Sequence, residues 1–396
     1  MPATERLLSD RVRGIEHSGI RRVWELAAER PNAVNLSIGQ PDFPVPDAVK
    51  TPAADAIHHN RNGYTPTTGI PALRKRIAAH LEHDIAWRCQ AGPDEPGLIV
   101  TSGTSGALVT AFLALLGPGD EAIIPDPYFV MYPVLGAISG GACVRCQTSP
   151  DFRMTAERVE PLITERTRLV LVNSPGNPSG VVLSEAEVND LLDLCRTRGL
   201  VLISDEIYDE FTFRDGRTQP RSGDPDALAC PSPCRAPRSW DTCLLVRGFG
   251  KTYGVTGWRL GFAAGPAWLI DAMAKIQQYT FVCPPTPLQH GVLAAFDADM
   301  QHHVDEYQRR RDIAIEALRG VTDVVNPAGA FYVFPKVPER LGVSGTEFAE
   351  HLAQRDVLVI PGGVFSDRDT HIRLSLSAPT DRLRQGVEII ADAMRS

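Results

Sequence analysis

The chain has 396 residues, of which 43% are hydrophobic and 22% charged, and its formal net charge is −8. This composition is typical of a globular protein with a sizeable core and room for more than one domain. The acidic balance and the lack of a basic run disfavour a nucleic-acid surface or an anchor on an anionic membrane, so small-molecule ligands are expected.

The N-terminal residues 1–10 contain no apolar segment of the kind that a secretory signal has. The apolar stretch at 107–116 is too short to span a bilayer, so we expect a cytoplasmic protein. Eight cysteines at irregular positions do not resemble a disulfide framework. Cys230 and Cys234 lie in a Pro- and Arg-rich segment, 215–239, that we interpret as a surface insertion. No second Cys or His pair follows at zinc-site spacing, so no metal site is predicted.

From residue 97 to 265, short apolar runs alternate with Gly- or Pro-rich loops and longer helical stretches. The predicted strands are 98–101, 121–124, 142–145, 168–173, 200–204, 244–246 and 260–263. Nearly continuous apolar strands that alternate with helices indicate an α/β fold whose large domain has a mostly parallel sheet, covered by helices on both faces.

The pattern changes after residue 293. A long helix is predicted at 294–319, with the run from Arg309 to Arg311 on its polar side, and short apolar runs follow it. We therefore divide the chain into three parts. They are an N-terminal arm (1–45) that joins the small domain, a large ligand-binding domain (46–293), and an interdomain helix with a small α+β domain (294–396).

Ligands of a parallel sheet bind beyond the carboxyl ends of its strands, so functional residues are expected in the loops that follow the predicted strands. One of them places Lys251 between glycines, just after the run 244–246, and Arg259 follows eight residues later. A lysine at the mouth of a strand, near a fixed cation, suits a covalent adduct with an aldehyde. Taken alone, the same residues also fit an ordinary solvated turn.

The segment 102–106 opens a helix and contains Gly103, Thr104 and Ser105. Free amides at a helix N-terminus, together with hydroxyls, can hold a phosphate group, although a plain capped turn would look similar. The two glycines give G-x-x-G rather than G-x-G-x-x-G, which disfavours a nicotinamide cofactor.

Four further residues fit a flat, charged ring and a carboxylate. Asp205 ends an apolar run, where a buried carboxylate needs a cation such as a protonated ring nitrogen, although it could also cap a helix. Tyr208 and Asn177 could reach a ring oxygen. Arg373 lies in the apolar run 371–376 and suits a substrate carboxylate, with a structural salt bridge as the alternative.

In chain order, these residues match the motifs of one known family. The motifs are NLSIGQPDF at 35–43, YTPTTGIPALR at 64–74, SGTSG at 102–106, NPSG at 177–180, SDEIY at 204–208, GKTY at 250–253 with GWR at 257–259, and RLS at 373–375. From about residue 35 to residue 377, the chain resembles the class I/II aminotransferases, which are fold type I enzymes dependent on pyridoxal 5'-phosphate and include aspartate aminotransferases.

The resemblance implies a role for each matching residue. Lys251 would hold the cofactor covalently and, once the substrate releases it, move the proton between the amino-acid α-carbon and the cofactor. Asp205 would pair with the ring nitrogen, Tyr208 and Asn177 with the ring oxygen, and Phe129 would stack on the ring. The phosphate would be held by Gly103, Thr104, Ser105 and Arg259, and the substrate α-carboxylate by Arg373 and the backbone of Gly39.

The resemblance also implies a homodimer with shared active sites, in which Tyr64 reaches the phosphate of the neighbouring subunit. Two positions depart from the family pattern. Gly248 stands where relatives usually carry a phosphate-binding serine, and Ser105 stands where some aspartate-specific relatives have a lysine for the distal carboxylate. The segment 277–284, which should approach the partner's site, offers aromatic rings and a hydroxyl rather than a charge.

The sequence therefore predicts an aminotransferase that moves an amino group from an L-amino acid to a 2-oxo acid such as 2-oxoglutarate. The donor would be aspartate or a neutral or aromatic amino acid. A pyridoxal phosphate-dependent lyase or decarboxylase of the same fold would share almost every residue named. A nicotinamide-dependent dehydrogenase could use Tyr332 and Lys336, but the missing glycine fingerprint disfavours it.

Overall fold

The computed structural model describes residues 7–17, 19–89, 92 and 94–396. Its strands, in chain order, are β1 (Val34–Asn35), β2 (Gly97–Thr101), β3 (Glu121–Asp126), β4 (Ala142–Gln147), β5 (Thr167–Asn173), β6 (Val201–Asp205), β7 (Gln219–Arg221), β8 (Asp224–Ala229), β9 (Cys243–Gly248), β10 (Gly261–Gly265), β11 (Tyr332–Val333), β12 (Val357–Leu358), β13 (Ile360–Pro361) and β14 (Ile372–Ser375).

The helices are α1 (Asp10–Arg13), α2 (Gly19–Glu29), α3 (Asp47–His58), α4 (Pro71–Ile85), α5 (Gly103–Leu115), α6 (Met131–Ser139), α7 (Ala156–Val159), α8 (Glu185–Arg198), α9 (Phe249–Thr252), α10 (Ala267–Thr280), α11 (Thr286–Gly291), α12 (Gln301–Leu318), α13 (Gly345–Gln354) and α14 (Thr380–Arg395). Over the residues that the structure describes, no helix is both long and apolar enough to cross a bilayer.

The central sheet has the strand order β2-β10-β9-β6-β5-β3-β4 within the described residues. All seven strands predicted from the apolar runs are therefore present, and neighbours are parallel except where β10 is involved. β10 runs antiparallel to both β2 and β9, so its first residue, Gly261, pairs with Thr101 and Gly248 at the ends of those strands. The predicted mostly parallel α/β sheet is confirmed.

Adjacent residues of the central strands belong to different apolar clusters because side chains alternate along a strand. Leu202 and Leu245 belong to one cluster, whereas Ile203 and Leu244 belong to another. Both faces of the sheet are therefore buried, as its nearly continuous apolar strands indicate.

A further apolar cluster combines the C-terminal elements with the N-terminal arm. It includes Leu36 as well as Leu318, Leu374 and Val387, all of which are buried. β1 pairs in parallel with β12, so the arm returns to the C-terminal region as the sequence suggests. This return carries the segment after β1 to the edge of the central sheet.

The prediction of a single long helix at 294–319 is wrong. A 3-10 helix occupies Val292–Asp297, and α12 begins only at Gln301. Of the run of arginines on the polar side, only Arg309 is exposed, because Arg310 and Arg311 are buried and donate to carboxylates of Asp42 and Asp215. Sequence spacing alone does not reveal these partners, which lie far away in the chain.

The interpretation of 215–239 as a surface insertion is correct only for part of the segment. The β7–β8 hairpin is largely exposed, but Cys230 and Cys234 are buried. The Sγ atoms of Cys234 and Cys243 lie 3.4 Å apart as free thiols. This segment therefore packs against the large sheet rather than extending from it.

Candidate active site

A cavity of about 400 Å³ lies at the carboxyl edge of the central sheet. The predicted residues that line it are Gly39, Gly103, Thr104, Ser105, Phe129, Asn177, Asp205, Tyr208, Lys251, Arg259 and Arg373. Segments that are distant in the chain meet here because the carboxyl ends of parallel strands lie at one edge. Tyr64 is absent from this lining, and its side chain is 89% exposed.

Lys251 lies in the short helix α9, directly after β9. Its Nζ donates a 2.5 Å hydrogen bond to the carbonyl oxygen of Gly39. Burial, together with the neighbouring cations Arg373 and Arg259, lowers the pKa of Lys251 to about 8. A larger fraction of the amine is therefore neutral near physiological pH than for an exposed lysine, and a neutral amine is the nucleophilic form.

Asp205 is a buried carboxylate at the end of β6. Its Oδ2 accepts a 2.8 Å hydrogen bond from the hydroxyl of Tyr132, and its Oδ1 accepts one from the amide of Ile207. Among the described residues, no ion pair joins Asp205 to a cation. Burial raises the pKa of Asp205 to about 6, opposed by these two hydrogen bonds. The carboxylate thus has the environment of a group that lacks its cationic partner.

The turn before α5 has the shape of an anion site. Gly103 has a φ of +71°, and a Cβ added there would lie 3.0 Å from Nη2 of Arg259. That guanidinium donates to Oγ of Ser105 and to the carbonyl oxygen of Thr256. In the part of the chain that the structure describes, no carboxylate pairs with Arg259. A 13-residue helix that begins at Gly103 adds free backbone amides to this cation.

Gly248 has a steric reason to lack a side chain. A Cβ at this position would lie 2.9 Å from Cδ1 of Ile207 and 3.0 Å from Cγ2 of Thr104. The methyl group of Thr104 thus lies where the usual serine of the family would need space. The glycine at 248 and the threonine at 104 therefore depend on each other, because the threonine methyl group occupies the space that a serine at 248 would need.

Arg373 projects from β14 and is 1% exposed. Its Nη1 donates to Oδ1 of Asn177, and its Nη2 donates to the carbonyl oxygen of Ser37. Its Nε is buried without a hydrogen-bond partner, and no carboxylate pairs with this guanidinium in the described residues. The guanidinium lies over the ring of Tyr332 at 4.3 Å from the centroid. A buried, unpaired arginine beside a cavity suits a carboxylate ligand.

Sequence reasoning missed several residues of the cavity, among them three that reach it through tertiary packing. Tyr132 contacts Asp205, Tyr332 contacts Tyr208, and Ile20 reaches the cavity from α2. None of them belongs to a motif. Their hydroxyl or alkyl groups reach the site through tertiary packing, although Tyr332 does lie in an apolar run that the sequence picks out. Lys336, its partner in the dehydrogenase alternative, pairs with Glu339 instead.

Behind the cavity lies a buried ionic network, which we define as Asp84, Glu206, Arg221, Arg235 and Arg247. Asp84 accepts hydrogen bonds from all three arginines at 2.7 to 2.8 Å. Arg247 also donates to Glu206, the residue after Asp205. The segment 215–239 thus supplies two cations to a network that supports the strand ends carrying the site.

These residues fit a phosphate-bearing aromatic aldehyde. The lysine with a lowered pKa offers an amine, and the buried carboxylate needs a cation. The turn at Gly103 brings free amides and the Arg259 guanidinium together as an anion site. The fold and the cavity thus define an enzyme that works through a covalently held carbonyl cofactor.

Comparisons with known proteins agree with an enzyme of this kind. A family model described as aminotransferase class I and II matches residues 31–390. The probable aspartate aminotransferase of Methanocaldococcus jannaschii is 33% identical, over 98% of this chain and 99% of that protein. The aromatic-amino-acid aminotransferase 2 of Thermococcus litoralis is 29% identical, over 96% of each. A single mutant of Thermus thermophilus aspartate aminotransferase is a structural match with a TM-score of 0.86, at 34% identity over 98% of this chain and 99% of that one.

The chain therefore belongs to the class I and II aminotransferases, and it is a pyridoxal 5'-phosphate-dependent transaminase.

Proposed function

We propose that this aminotransferase takes its amino group from an L-amino acid with a neutral or aromatic side chain and passes it to a 2-oxo acid such as 2-oxoglutarate. The observation that carries the donor class is the charge inventory of the cavity. Its cations are Lys251, Arg259 and Arg373 among the described lining residues, and each has a role in the proposed site. No cation of this chain's described lining remains for a distal carboxylate, since Ser105 supplies none, so the donor of the first half-reaction is expected to lack one. The distal carboxylate of the acceptor 2-oxoglutarate would then be held by polar groups or by the partner subunit.

The cavity also has apolar walls that suit such a donor. Ile20 and Ile38 line it together with the ring of Phe129. Aspartate is the second candidate donor, because several relatives are named aspartate aminotransferases. In a shared site, a partner subunit could add a cation that this chain does not place in its own cavity.

The roles of the residues follow from their positions. Arg259 and the turn at Gly103, Thr104 and Ser105 would hold the cofactor phosphate. Asp205 would keep the ring nitrogen protonated, and Phe129 would pack on the ring. When bound, pyridoxal phosphate supplies an electron sink for the negative charge that develops at the substrate α-carbon.

Two residues would then control the proton transfer. Arg373 would clamp the substrate α-carboxylate with help from Asn177 and the backbone of Gly39, which fixes the orientation of the α-carbon bonds. Lys251 would take the α-proton as a neutral amine, for which a pKa of about 8 is well suited.

A panel of amino donors, each paired with 2-oxoglutarate, tests the donor class. We expect the kcat/KM of phenylalanine, tyrosine or leucine to exceed that of aspartate, and the opposite order would favour aspartate. The same panel separates transfer from lyase or decarboxylase chemistry. Transfer forms glutamate without ammonia or carbon dioxide, whereas catalytic release of either gas would contradict the proposal.

We also propose a homodimer with shared sites. Tyr64 and Tyr279 are 89% and 86% exposed. Phe281 and Val282, which follow Tyr279 in the chain, are also exposed. The ring of Phe281 lies against Gly106 of α5, close to the anion site. An exposed aromatic surface at this place is expected to be covered by a second copy.

Hybrid dimers test the shared site. A Lys251→Ala subunit keeps Tyr64, and a Tyr64→Ala subunit keeps Lys251, so their hybrid contains one site with both side chains if Tyr64 acts across the interface. We expect the hybrid to regain wild-type cofactor affinity at that site. If the hybrid behaves like Tyr64→Ala alone, Tyr64 does not act across the interface.

Two remaining assignments are also proposals. We propose a cytoplasmic location, which the eight free thiols support because such thiols are usual in reducing compartments. We propose the division into an arm (1–45), a large domain (46–293) and a small domain (294–396), which the separate C-terminal apolar cluster supports.

A further inference from the structure

The hydroxyl groups of Tyr208 and Tyr332 lie 3.1 Å apart in the wall of the cavity. Both residues are buried, and their rings meet edge to face with centroids 5.8 Å apart. They come from different parts of the fold, since Tyr208 follows β6 of the central sheet and Tyr332 lies in β11. Among the described residues, each hydroxyl has the other as its hydrogen-bond partner.

A tyrosine hydroxyl carries one proton, so only one of the two can donate in this pair. If Tyr208 donates to Tyr332, its proton is used and it cannot donate to a cofactor oxygen. If Tyr332 donates to Tyr208, the proton of Tyr208 remains free. The direction of this one hydrogen bond therefore decides whether Tyr208 can perform the role proposed above.

The surroundings favour Tyr332 as the donor. The guanidinium of Arg373 lies 4.3 Å from the centroid of the Tyr332 ring. Burial raises the pKa of both tyrosines, and Arg373 opposes this rise at each. At Tyr208 the carboxylate of Asp205 raises the pKa further, whereas no carboxylate acts on Tyr332. The cation over the ring of Tyr332 and the carboxylate near Tyr208 thus both favour donation from Tyr332 to Tyr208.

The position of the Tyr332 hydroxyl is fixed by packing. The backbone of Gly39 packs against the hydroxyl oxygen of Tyr332, because a Cβ added to Gly39 would lie only 3.0 Å from that oxygen. On the strand, Tyr332 pairs with Ser375 of β14, two residues from Arg373. The hydroxyl oxygen of Tyr332 therefore cannot move far from Tyr208 unless strand β11 moves with it.

We propose that Tyr332 is a positioning residue that donates its hydroxyl proton to Tyr208, so that Tyr208 keeps its own proton for the ring oxygen of the cofactor. Donation by Tyr332 also polarises the O–H bond of Tyr208, which strengthens it as a donor. This inference rests on the proposed role of Tyr208 and extends it to a residue that is not expected to touch the cofactor.

The test uses the pH dependence of the cofactor absorbance in the purified holoenzyme. A hydrogen bond to the ring oxygen stabilises the deprotonated, more negative form of the chromophore, so a weaker donor raises the midpoint of the titration. We expect Tyr332→Phe to raise the midpoint in the same direction as Tyr208→Phe, by a smaller amount. We also expect Tyr332→Phe to weaken cofactor binding to the apoprotein about fivefold, the value of one typical hydrogen bond.

A double variant separates positioning from a general structural effect. If Tyr332 acts through Tyr208, adding Tyr332→Phe to Tyr208→Phe causes no further shift of the midpoint. The matched control is Tyr307→Phe, which also loses a buried hydroxyl, one that donates to Asp42, from the same aromatic cluster. We expect this control to leave the midpoint unchanged.

Three outcomes would overturn the inference while leaving the proposed function in place. They are a wild-type midpoint in Tyr332→Phe, an undiminished shift in the Tyr208→Phe background, and an equal shift in Tyr307→Phe. If the wild-type protein shows no cofactor band and borohydride traps no cofactor on Lys251, the proposed function itself fails, and this inference fails with it.

Discussion

Asp84 offers a sharp test of whether the buried ionic network stabilises the fold. It lies in the last turn of α4 with 1% of its surface exposed, and its two oxygens accept from Arg221, Arg235 and Arg247. Asp84→Asn keeps the shape of the side chain and removes one negative charge. Arg221 and Arg247 then retain other carboxylates, but Arg235 is left without one among the described residues.

Breaking a buried ion pair by removing one partner typically costs 3 to 5 kcal/mol, because it leaves an uncompensated buried charge. We therefore expect Asp84→Asn to lower the free energy of unfolding by about 3 kcal/mol or more at pH 7. The control is Asp297→Asn, which removes the partner of Arg76, a residue of the same helix as Asp84. That ion pair is exposed, with 72% of the Asp297 side chain accessible, so its loss should cost below ~1 kcal/mol.

Urea denaturation of the cofactor-free proteins measures both costs. The three arginines hold the pKa of Asp84 well below its ordinary value, although burial acts in the opposite direction. A lowered carboxylate pKa gives stability that is fully present above the unfolded-state pKa, near 3.8, and is lost as the pH falls below it. The gap between wild type and Asp84→Asn should thus be constant from pH 5 to 7 and narrow below pH 4. A loss no larger than that of Asp297→Asn would refute the reasoning.

Three further changes test the site. Because burial raises the pKa of Asp205 to about 6, the cofactor-free wild type should lose ~2 to 3 kcal/mol of stability relative to Asp205→Asn as the pH rises from 4 to 8. Parallel stabilities in denaturation at the two pH values would contradict this. Lys251→Met should abolish turnover and stabilise the cofactor-free protein by ~3 kcal/mol at pH 7, since the lowering of the lysine pKa from 10.5 to about 8 costs stability in full below pH 8, and this cost is lost as the pH rises from 8 to 10.5. An unchanged melting curve at pH 7 would argue against that penalty. Gly248→Ser should destabilise the protein by ~1 to 3 kcal/mol through its contacts with Thr104 and Ile207, and Thr104→Ser should recover most of that loss in a double variant. Additive losses in the double variant would exclude the steric explanation.

The central sheet could be predicted from the sequence because its strands are buried on both faces. A strand such as β6 begins with three consecutive apolar residues and is buried at every position, so it is recognised without knowledge of its neighbours. The presence of Lys251, Asp205 and Arg373 in the cavity could be predicted because each places a charge within or shortly after an apolar run, where an unpaired charge is costly.

The parts that could not be predicted depend on contacts between distant segments. Tyr132 is one of many tyrosines until β6 brings Asp205 within 2.8 Å of it. Arg310 and Arg311 look like a solvated face until Asp42 and Asp215 are placed beside them. Polar residues at helical spacing are normally exposed, and only the tertiary structure shows that these two are paired and buried.

The antiparallel pairing of β10 with β9 fixes both ends of the loop that carries Lys251 and Arg259. Because β10 begins where β9 ends, the residues from 249 to 260 leave the sheet edge and return to it, with Lys251 near the start and Arg259 near the end. One inserted residue adds about 3 Å of chain to a loop whose ends are fixed by the pairing of β9 with β10, so the loop would have to repack around Lys251 and Arg259. Engineering or natural variation should therefore tolerate changes of length in the β7–β8 hairpin and reject them between 252 and 258.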